Sequence, residues 1–286
     1  MARAGTAAPV AVHQMWAAVA GAWGEHADYV DAAADAMTLR MLDLTRPRPG
    51  ERVLELACGA GGLGLAAAER VGPDGEVLVS DVVPEMVRIA AERAAARGLA
   101  NVSSRPLDLD AIDQPAAAHD VVLCREGLMF AHDHGGAVAE VARVLRPGGR
   151  VAVSVWGPRD ANPWLVAVLD SASAELGIPL PPPGVRGPFS LDDGDELAEL
   201  FRSAGFADVA VQEVAVPRRA GSVGEWWDRT TALAGPLALR LASLPPEAVE
   251  RIRARAADAV APYVGAGGAV EFPGLALVAS GRLPDA

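Results

Sequence analysis

The stretch VLELACGAGGLGL, residues 53–65, decides the fold of this chain. It opens with alternating apolar residues, and four glycines then fall within six positions, before an apolar run that is compatible with a helix. Glycine adopts backbone angles that other residues avoid, so a turn of this kind lets the backbone approach a ligand closely. A strand, a glycine turn and a helix start are typical of a nucleotide-binding site. The stretch therefore predicts a nucleotide-binding turn.

From this stretch onward, predicted strands and helices alternate. The strands are expected over 52–57, 76–81, 101–106, 120–124 and 150–156, and the helices over 62–71, 84–98 and 135–146. Strands that alternate with helices at this spacing pair in parallel through right-handed crossovers, with helices on both faces of the sheet. The predicted fold class is α/β, with a doubly wound, Rossmann-like and mostly parallel sheet.

Two helical segments lie outside this alternation. Residues 12–44 have a helical pattern that RPRPG, residues 46–50, interrupts. Residues 221–264 form a helical segment between the last two predicted strands, 207–215 and 269–280. We interpret the first segment as a cap and the second as a lid that selects the substrate. The predicted divisions are a helical cap over 1–45, a nucleotide-binding core over 46–216, a helical lid over 217–264 and a final core strand within 265–286.

Composition narrows the class of protein. With 286 residues, of which 51% are hydrophobic, the chain is long enough to bury a substantial core. A net charge of −12 without any basic run argues against a nucleic acid partner. The sequence contains no lysine, which excludes pyridoxal phosphate chemistry and a phosphate-binding P-loop. We expect a cytoplasmic protein without a membrane span, since neither a long apolar run nor a secretory signal pattern is present. No metal-ligand cluster is predicted.

The glycine turn fits two nucleotides. Gly59, Gly61 and Gly64 spell GxGxxG, and Asp81 follows the next predicted strand, as in NAD-binding proteins. An NAD-dependent oxidoreductase is therefore one interpretation. Glu55, however, places an acid inside the strand before the turn, where a pyrophosphate gains nothing from added negative charge. S-adenosylmethionine carries a sulfonium and an ammonium and no phosphate, so the acid favours this cationic ligand.

Three further stretches carry a family resemblance. They are SDVVPEM (80–86), HDVVLCREGLMF (119–130) and VARVLRPGGRVAVSVW (141–156). Together with the glycine turn, residues 50–157 resemble the class I S-adenosylmethionine-dependent methyltransferases, and specifically the branch of the ubiquinone and menaquinone biosynthesis enzymes. The resemblance implies a seven-stranded sheet whose last strand is antiparallel.

The resemblance also implies a set of cofactor-binding residues. Asp81 would hold the ribose hydroxyls, and Val82 and Met86 would pack against the adenine. Ala57 stands where the family has its first glycine, which is a departure from the pattern. The other expected cofactor contacts are Glu55, Gly59 and Gly61 around the turn, Asp108 and Leu109 at the adenine, the backbone of Cys124 and Arg125 at the methionine part, and Trp16 and Trp23 from the cap.

Residues for the acceptor and for catalysis are less well defined by the sequence. His132 and His134, in FAHDH after the fourth predicted strand, are the candidates for a general base, although the same pattern suits a solvated loop. Apolar and aromatic side chains predict an acceptor pocket for a quinone, polyketide or other secondary metabolite. The residues expected there are Met129, Phe130, Trp226 and Trp227.

We therefore predict a methyltransferase, a monomer or homodimer, that transfers a methyl group from S-adenosylmethionine to an oxygen or carbon of a small, largely apolar metabolite and leaves S-adenosylhomocysteine. Two alternatives stay open. One is the NAD-dependent oxidoreductase. The other is a protein of this fold that binds S-adenosylmethionine without transferring its methyl group.

Overall fold

One central sheet organises the computed structural model, which describes residues 13–285. Its seven strands follow the order β3-β2-β1-β4-β5-β9-β6, and a two-stranded ribbon, β7 with β8, lies apart from it. The strands are β1 (Arg52–Leu56), β2 (Glu76–Asp81), β3 (Val102–Pro106), β4 (His119–Arg125), β5 (Leu145–Trp156), β6 (Ala207–Ala215), β7 (Arg218–Ala220), β8 (Val270–Phe272) and β9 (Leu275–Arg282).

The last strand, β9, inserts between β5 and β6 and runs antiparallel to both, whereas β1 to β5 pair in parallel. The predicted fold class, a mostly parallel seven-stranded sheet with an antiparallel last strand, is confirmed. Strands β1 and β4 are buried along almost their whole length, because helices cover both faces of the sheet.

The described helices are α1 (Ala20–Glu25), α2 (Ala27–Ala33), α3 (Asp35–Thr45), α4 (Gly62–Val71), α5 (Pro84–Ala96), α6 (His134–Val144), α7 (Pro163–Leu176), α8 (Gly194–Ser203), α9 (Val223–Leu233), α10 (Gly235–Ala242) and α11 (Pro246–Val260). Between β1 and β5, the helices α4, α5 and α6 alternate with the strands as predicted. Within residues 13–285, no helix combines the length and the apolar character that crossing a membrane requires.

Helix α3 belongs to the packing of the sheet, although the sequence groups it with the cap. Its Met37 and Met41 are fully buried and lie in the same apolar cluster as the residues of β1, β4 and β5. Helices α1 and α2 instead lie near the glycine turn. Trp23 lies beside Gly59, and Ala27 packs in a small apolar cluster with Ala60.

The lid has an apolar core of its own, and α7 contributes to it. Leu165, Val168, Leu169 and Ala172 of α7 repeat at helical spacing, so one face of this helix packs against α9, α10 and α11. The apolar core of the segment predicted as a lid, residues 217–264, therefore also contains residues of α7, which lies far earlier in the chain.

The strand predicted near 269–280 is divided in two. Pro273 and Gly274 separate β8, which pairs with β7 in the lid, from β9, which pairs within the main sheet. A Cβ atom at Gly274 would lie 2.2 Å from the carbonyl oxygen of Val216, so only glycine fits where the two chain segments pass each other. The segment that begins after Val216 therefore starts and ends at one point beside the main sheet.

Candidate functional site

A cavity of about 310 Å³, the first cavity, opens at the carboxyl ends of β1, β2 and β4, where open α/β sheets bind their ligands. The glycine turn forms one wall. Ala57, Gly59 and Gly61 have φ angles of 51°, 52° and 85°, so the turn uses left-handed backbone three times within five residues. Gly61 is the N-cap of α4, and a side chain at Gly59 would meet the ring of Trp23 at 3.0 Å. The turn therefore brings bare backbone to the cavity wall.

The carboxylate of Asp81 is held in a fixed position at the end of β2. Its Oδ2 accepts a hydrogen bond of 3.0 Å from the backbone N–H of Gly59, and its Oδ1 accepts one of 3.0 Å from the N–H of Val83. Asp81 is buried and lines the first cavity. Each carboxylate oxygen keeps a further acceptor site. The arrangement fits the two hydroxyls of a ribose.

Glu55 is a buried acid beneath the glycine turn. It is 1% exposed, lines the first cavity, and its Oε2 accepts a hydrogen bond of 2.9 Å from the N–H of Gly64. Burial raises the pKa of Glu55 to about 8, against the opposing effect of the nearby Arg125. A positively charged ligand group would restore the ionised form. Glu55 therefore suits a cation, as an acid under the turn predicts.

The residues expected at the adenine also line the first cavity: Val82, Met86, Asp108 and Leu109. Asp108 accepts a hydrogen bond of 3.0 Å from the N–H of Asp110. Asp110 in turn accepts hydrogen bonds of 2.9 and 3.1 Å from the N–H groups of His132 and Asp133. This contact joins the loop after β3 to the loop after β4 across the mouth of the cavity.

The two tryptophans of the cap connect the cavity to the lid. Trp16 packs edge to face on Phe130, with ring centroids 5.1 Å apart, and lies 6.1 Å from the ring of Trp23. The Nε1–H of Trp23 donates a hydrogen bond of 3.0 Å to the carbonyl oxygen of Leu233 in α9. Both tryptophans line the first cavity, and together they close its side toward the lid.

A second cavity of about 150 Å³ adjoins the first. The two share four wall residues, Trp16, Trp23, Glu126 and Phe130. The second cavity is bounded by the cap, β5, α7, α9 and α10, and Met129 forms part of its apolar wall. Cationic side chains also reach it, from Arg218 and Arg229. It offers a largely apolar compartment next to the first.

Several predicted site residues lie elsewhere. Trp226 and Trp227 are buried in the core of the lid, and neither lines the two larger cavities; the Nε1–H of Trp226 donates to the carbonyl oxygen of Trp164. Cys124 is buried behind the turn, whereas Arg125 lines the first cavity. The pattern of an amphipathic helix does not tell whether an aromatic residue packs inside the lid or faces a ligand.

The two histidines differ in their surroundings. His132 is exposed and lines the mouth of the first cavity. His134 is buried at the start of α6, with its Nε2 3.4 Å from the carbonyl oxygen of Met129, and burial lowers its pKa. His134 lines neither of the two cavities. Both stay predictions as general bases.

The structure adds wall residues that the sequence prediction omits. Glu126 directly follows Arg125 at the carboxyl end of β4, a position that could have identified it, because ligands bind at that edge of the sheet. Arg218 begins β7 and reaches the second cavity, and Arg186 reaches the first from the loop after α7. Nothing in the local sequence of these two arginines indicates either position.

The first cavity fits S-adenosylmethionine. Asp81 offers fixed acceptors that suit a ribose, and Glu55 offers an acid in the same cavity that suits a cationic group. Two backbone N–H groups at the turn already donate hydrogen bonds within the protein. The N–H of Gly59 donates to Asp81, and the N–H of Gly64 donates to Glu55. A pyrophosphate would add negative charge beside the buried Glu55, so the turn suits NAD poorly.

Comparison with known proteins agrees with this assignment. The profile of the Methyltransferase domain family matches residues 53–149. The chain is 34% identical over 201 residues to the nocamycin O-methyltransferase of Saccharothrix syringae, covering 66% of this chain and 72% of that protein. It is 35% identical over 163 residues to the ubiquinone/menaquinone biosynthesis C-methyltransferase UbiE of Ectopseudomonas mendocina, covering 57% of this chain and 61% of that protein. Other curated relatives are matched over about half of their own length.

The fold has solved counterparts as well. The YcgJ protein of Bacillus subtilis superposes with a TM-score of 0.57 at 22% identity, over 89% of this chain and 99% of YcgJ, which shows a shared fold. The matched family and the two relatives are methyltransferases and give no support to the NAD alternative. The prediction made from the motifs is confirmed: this chain belongs to the S-adenosylmethionine-dependent methyltransferases.

Proposed function

We propose that the acceptor of the methyl group is a small, largely apolar metabolite that occupies the second cavity and reacts through an oxygen or carbon atom. The observation that supports this most is the wall that the two cavities share, Trp16, Trp23, Glu126 and Phe130. A ligand on each side of this wall would place cofactor and acceptor next to each other.

When bound, S-adenosylmethionine supplies a methyl group that its sulfonium already activates. The contribution of this chain is to align it with the acceptor, and alignment of two reactants accounts for a large part of the rate of such displacements. In our proposal, Asp81 orients the ribose and Glu55 faces the cationic end. Trp16 and Phe130, which pack edge to face, exclude water from the contact between the two cavities.

The class of acceptor follows from the walls and from the relatives. The second cavity is lined mostly by apolar and aromatic side chains, which suits a planar, weakly polar molecule. One relative is named for O-methylation of nocamycin and the other for C-methylation in quinone biosynthesis. These names support a quinone, polyketide or other secondary metabolite as acceptor, and both oxygen and carbon as the methylated atom.

Two measurements test this function. Native mass spectrometry of the purified protein is expected to show binding of added S-adenosylhomocysteine and no specific binding of NAD; the reverse result would refute the cofactor assignment. Incubation with S-adenosylmethionine and a panel of polyketide phenols and quinols is expected to give S-adenosylhomocysteine and a monomethylated product in equal amounts. Conversion of an acceptor without any S-adenosylhomocysteine would instead support the alternative in which the bound cofactor keeps its methyl group.

We also propose a cytoplasmic location and a monomer or homodimer without a nucleic acid partner. The net charge of −12, with every basic residue an arginine and no basic run, supports the absence of a nucleic acid partner. Light scattering on the eluting protein would distinguish a monomer from a dimer, and a larger assembly would contradict the proposal.

A further inference from the structure

Glu126 stands at the junction of the two cavities in an unusual backbone conformation. It is the first residue after β4, lines both cavities and has a φ angle of 58°. Left-handed backbone is costly for a side chain such as glutamate, and strain of this kind concentrates at functional sites. The N–H of Glu126 donates a hydrogen bond of 2.9 Å to the carbonyl oxygen of Ser154, which helps to hold this conformation.

One carboxylate oxygen of Glu126 lacks a partner. The side chain is 14% exposed, yet its Oε1 is buried and has no hydrogen-bond partner among the residues that the structure describes. The nearest cationic group, Nη2 of Arg218, is 4.0 Å away, which is beyond hydrogen-bond distance. A buried carboxylate oxygen without a hydrogen-bond partner costs free energy unless a ligand donates a hydrogen bond to it.

Arg218 is a fixed cation on the wall of the second cavity. Its guanidinium lies over the rings of Trp156 and Trp164, 5.0 and 5.1 Å from their centroids. Its Nη1 donates a hydrogen bond of 2.5 Å to the carbonyl oxygen of Ala33. The other arginine of this cavity, Arg229, stacks on an aromatic ring and pairs with an acid of its own helix. Of the two arginines that line the second cavity, Arg218 is therefore the one that faces Glu126.

We propose that Glu126 accepts a proton from the acceptor and that Arg218 binds the oxygen that ionises, so that the acceptor is an acidic hydroxyl compound, a phenol or an enol. This inference rests on the proposed function, in which the acceptor occupies the second cavity. The hydroxyl oxygen would lie to the side of this pair, within hydrogen-bond distance of both Oε1 and Nη2, which are 4.0 Å apart.

In this step the acceptor loses its hydroxyl proton before it is methylated. The proton of the acceptor O–H group moves to Oε1 of Glu126, and the electron pair of the O–H bond stays on the acceptor oxygen beside Arg218. A bond then forms from this oxygen, or from the carbon conjugated with it, to the methyl carbon. The sulfur keeps the electron pair of the bond that breaks. Glu126 returns its proton to water after the product leaves.

The electrostatics of Glu126 suit a base. Burial raises its pKa above the ordinary value for a glutamate, against the lowering effects of Arg218 and Arg125, which are the charged groups that face it. A carboxylate with a raised pKa is a stronger base. The two histidines are less well placed, because neither lines the second cavity.

A chromogenic phenol tests the proposal without knowledge of the natural acceptor. With saturating S-adenosylhomocysteine, 4-nitrophenol is titrated into the protein at a pH at which the free probe is ionised, and proton uptake is measured by calorimetry in two buffers of different ionisation enthalpy. Wild type is expected to take up about one proton per probe while the visible absorbance of the phenolate persists, since the proton goes to Glu126. Absence of uptake, or loss of the absorbance, would overturn the proposal.

Variants identify the group that takes up the proton. Glu126→Gln keeps the size of the side chain, and it should bind the probe with less than about a fifth of the wild-type uptake. Unchanged uptake in Glu126→Gln would refute the role of this residue. Arg218→Gln should weaken binding of the phenolate at least tenfold; if this variant does not fold, the uptake in Glu126→Gln decides alone. Glu69→Gln, on the exposed surface of α4, is the matched control and should behave as wild type.

The affinity of wild type for S-adenosylhomocysteine distinguishes failure of the proposed function from failure of the role of Glu126. Because Glu126 also lines the first cavity, the affinity of Glu126→Gln is measured as well, and the probe is titrated at saturating S-adenosylhomocysteine in each variant. Failure of wild type to bind S-adenosylhomocysteine would refute the proposed function. Normal binding together with an unchanged proton uptake in Glu126→Gln would refute only the inference on Glu126.

Discussion

The buried acid under the glycine turn predicts that binding of S-adenosylhomocysteine depends on pH in a defined way. With a pKa of about 8, Glu55 carries a proton in most free molecules at neutral pH. Only about a tenth is ionised at pH 7 and about a hundredth at pH 6. The ammonium of the ligand favours the ionised form, so binding at pH 7 should release about 0.9 proton and the affinity should rise about tenfold from pH 6 to pH 7.

Above pH 8 the gain levels off, because Glu55 is then mostly ionised in the free protein as well. The dissociation constant is therefore expected to fall from pH 6 to pH 8, with the steepest change below pH 8. Calorimetric titration at pH 6, 7 and 8, each in two buffers, measures both the affinity and the proton release. Glu55→Gln should bind more weakly at pH 8 and show no release at pH 7. Equal pH dependence in wild type and Glu55→Gln, or no release in wild type, would refute the reasoning.

The same acid affects the stability of the free protein. Because the pKa of Glu55 is higher in the folded state than the ordinary value of 4.5, its contribution to stability is complete below pH 4.5 and is lost as the pH rises through about 8. Raising the pH from 5 to 8 should therefore lower the unfolding temperature of wild type relative to that of Glu55→Gln. A constant difference would mean that Glu55 titrates normally.

Three other substitutions have expected outcomes. Asp81→Ala should weaken S-adenosylhomocysteine at least tenfold in calorimetry, since each charge-assisted hydrogen bond to the ribose is worth about 1.5–3 kcal/mol, and an unchanged affinity in the folded variant would place the ribose elsewhere. His132→Ala and His134→Ala should each slow single-turnover methyl transfer less than about a hundredfold, whereas a loss near the upper limit of about 10⁴ would identify an essential base. Ala57→Gly should raise the free energy of unfolding by up to about 1 kcal/mol, because left-handed backbone costs a non-glycine residue about 1–2 kcal/mol. Ala57→Val should lower it, and equal unfolding midpoints of wild type and both variants would contradict the strain at this turn.

Much of the fold was accessible from local patterns. The alternation of apolar strands with amphipathic helices predicted the order of elements from β1 to β5, since each element depends on its own sequence and the connection rule is general. The glycine turn, Glu55 and Asp81 were also accessible, because the carboxyl ends of parallel strands meet at one edge of a sheet whatever the remaining chain does. The division of the last predicted strand at Pro273 and Gly274 was not recognised, since the prediction treated an apolar stretch as continuous.

The sequence by itself determined the class of cofactor, because the groups that recognise it lie within or just after neighbouring strands. Only the tertiary structure decided which side chains line the second cavity. Trp226 and Trp227 are buried in an apolar core, whereas Glu126 and Arg218, far apart in the chain, lie 4.0 Å from each other. Such contacts depend on how distant apolar surfaces of the chain pack together. A one-dimensional pattern shows that a residue is buried, and it does not show which residues surround it.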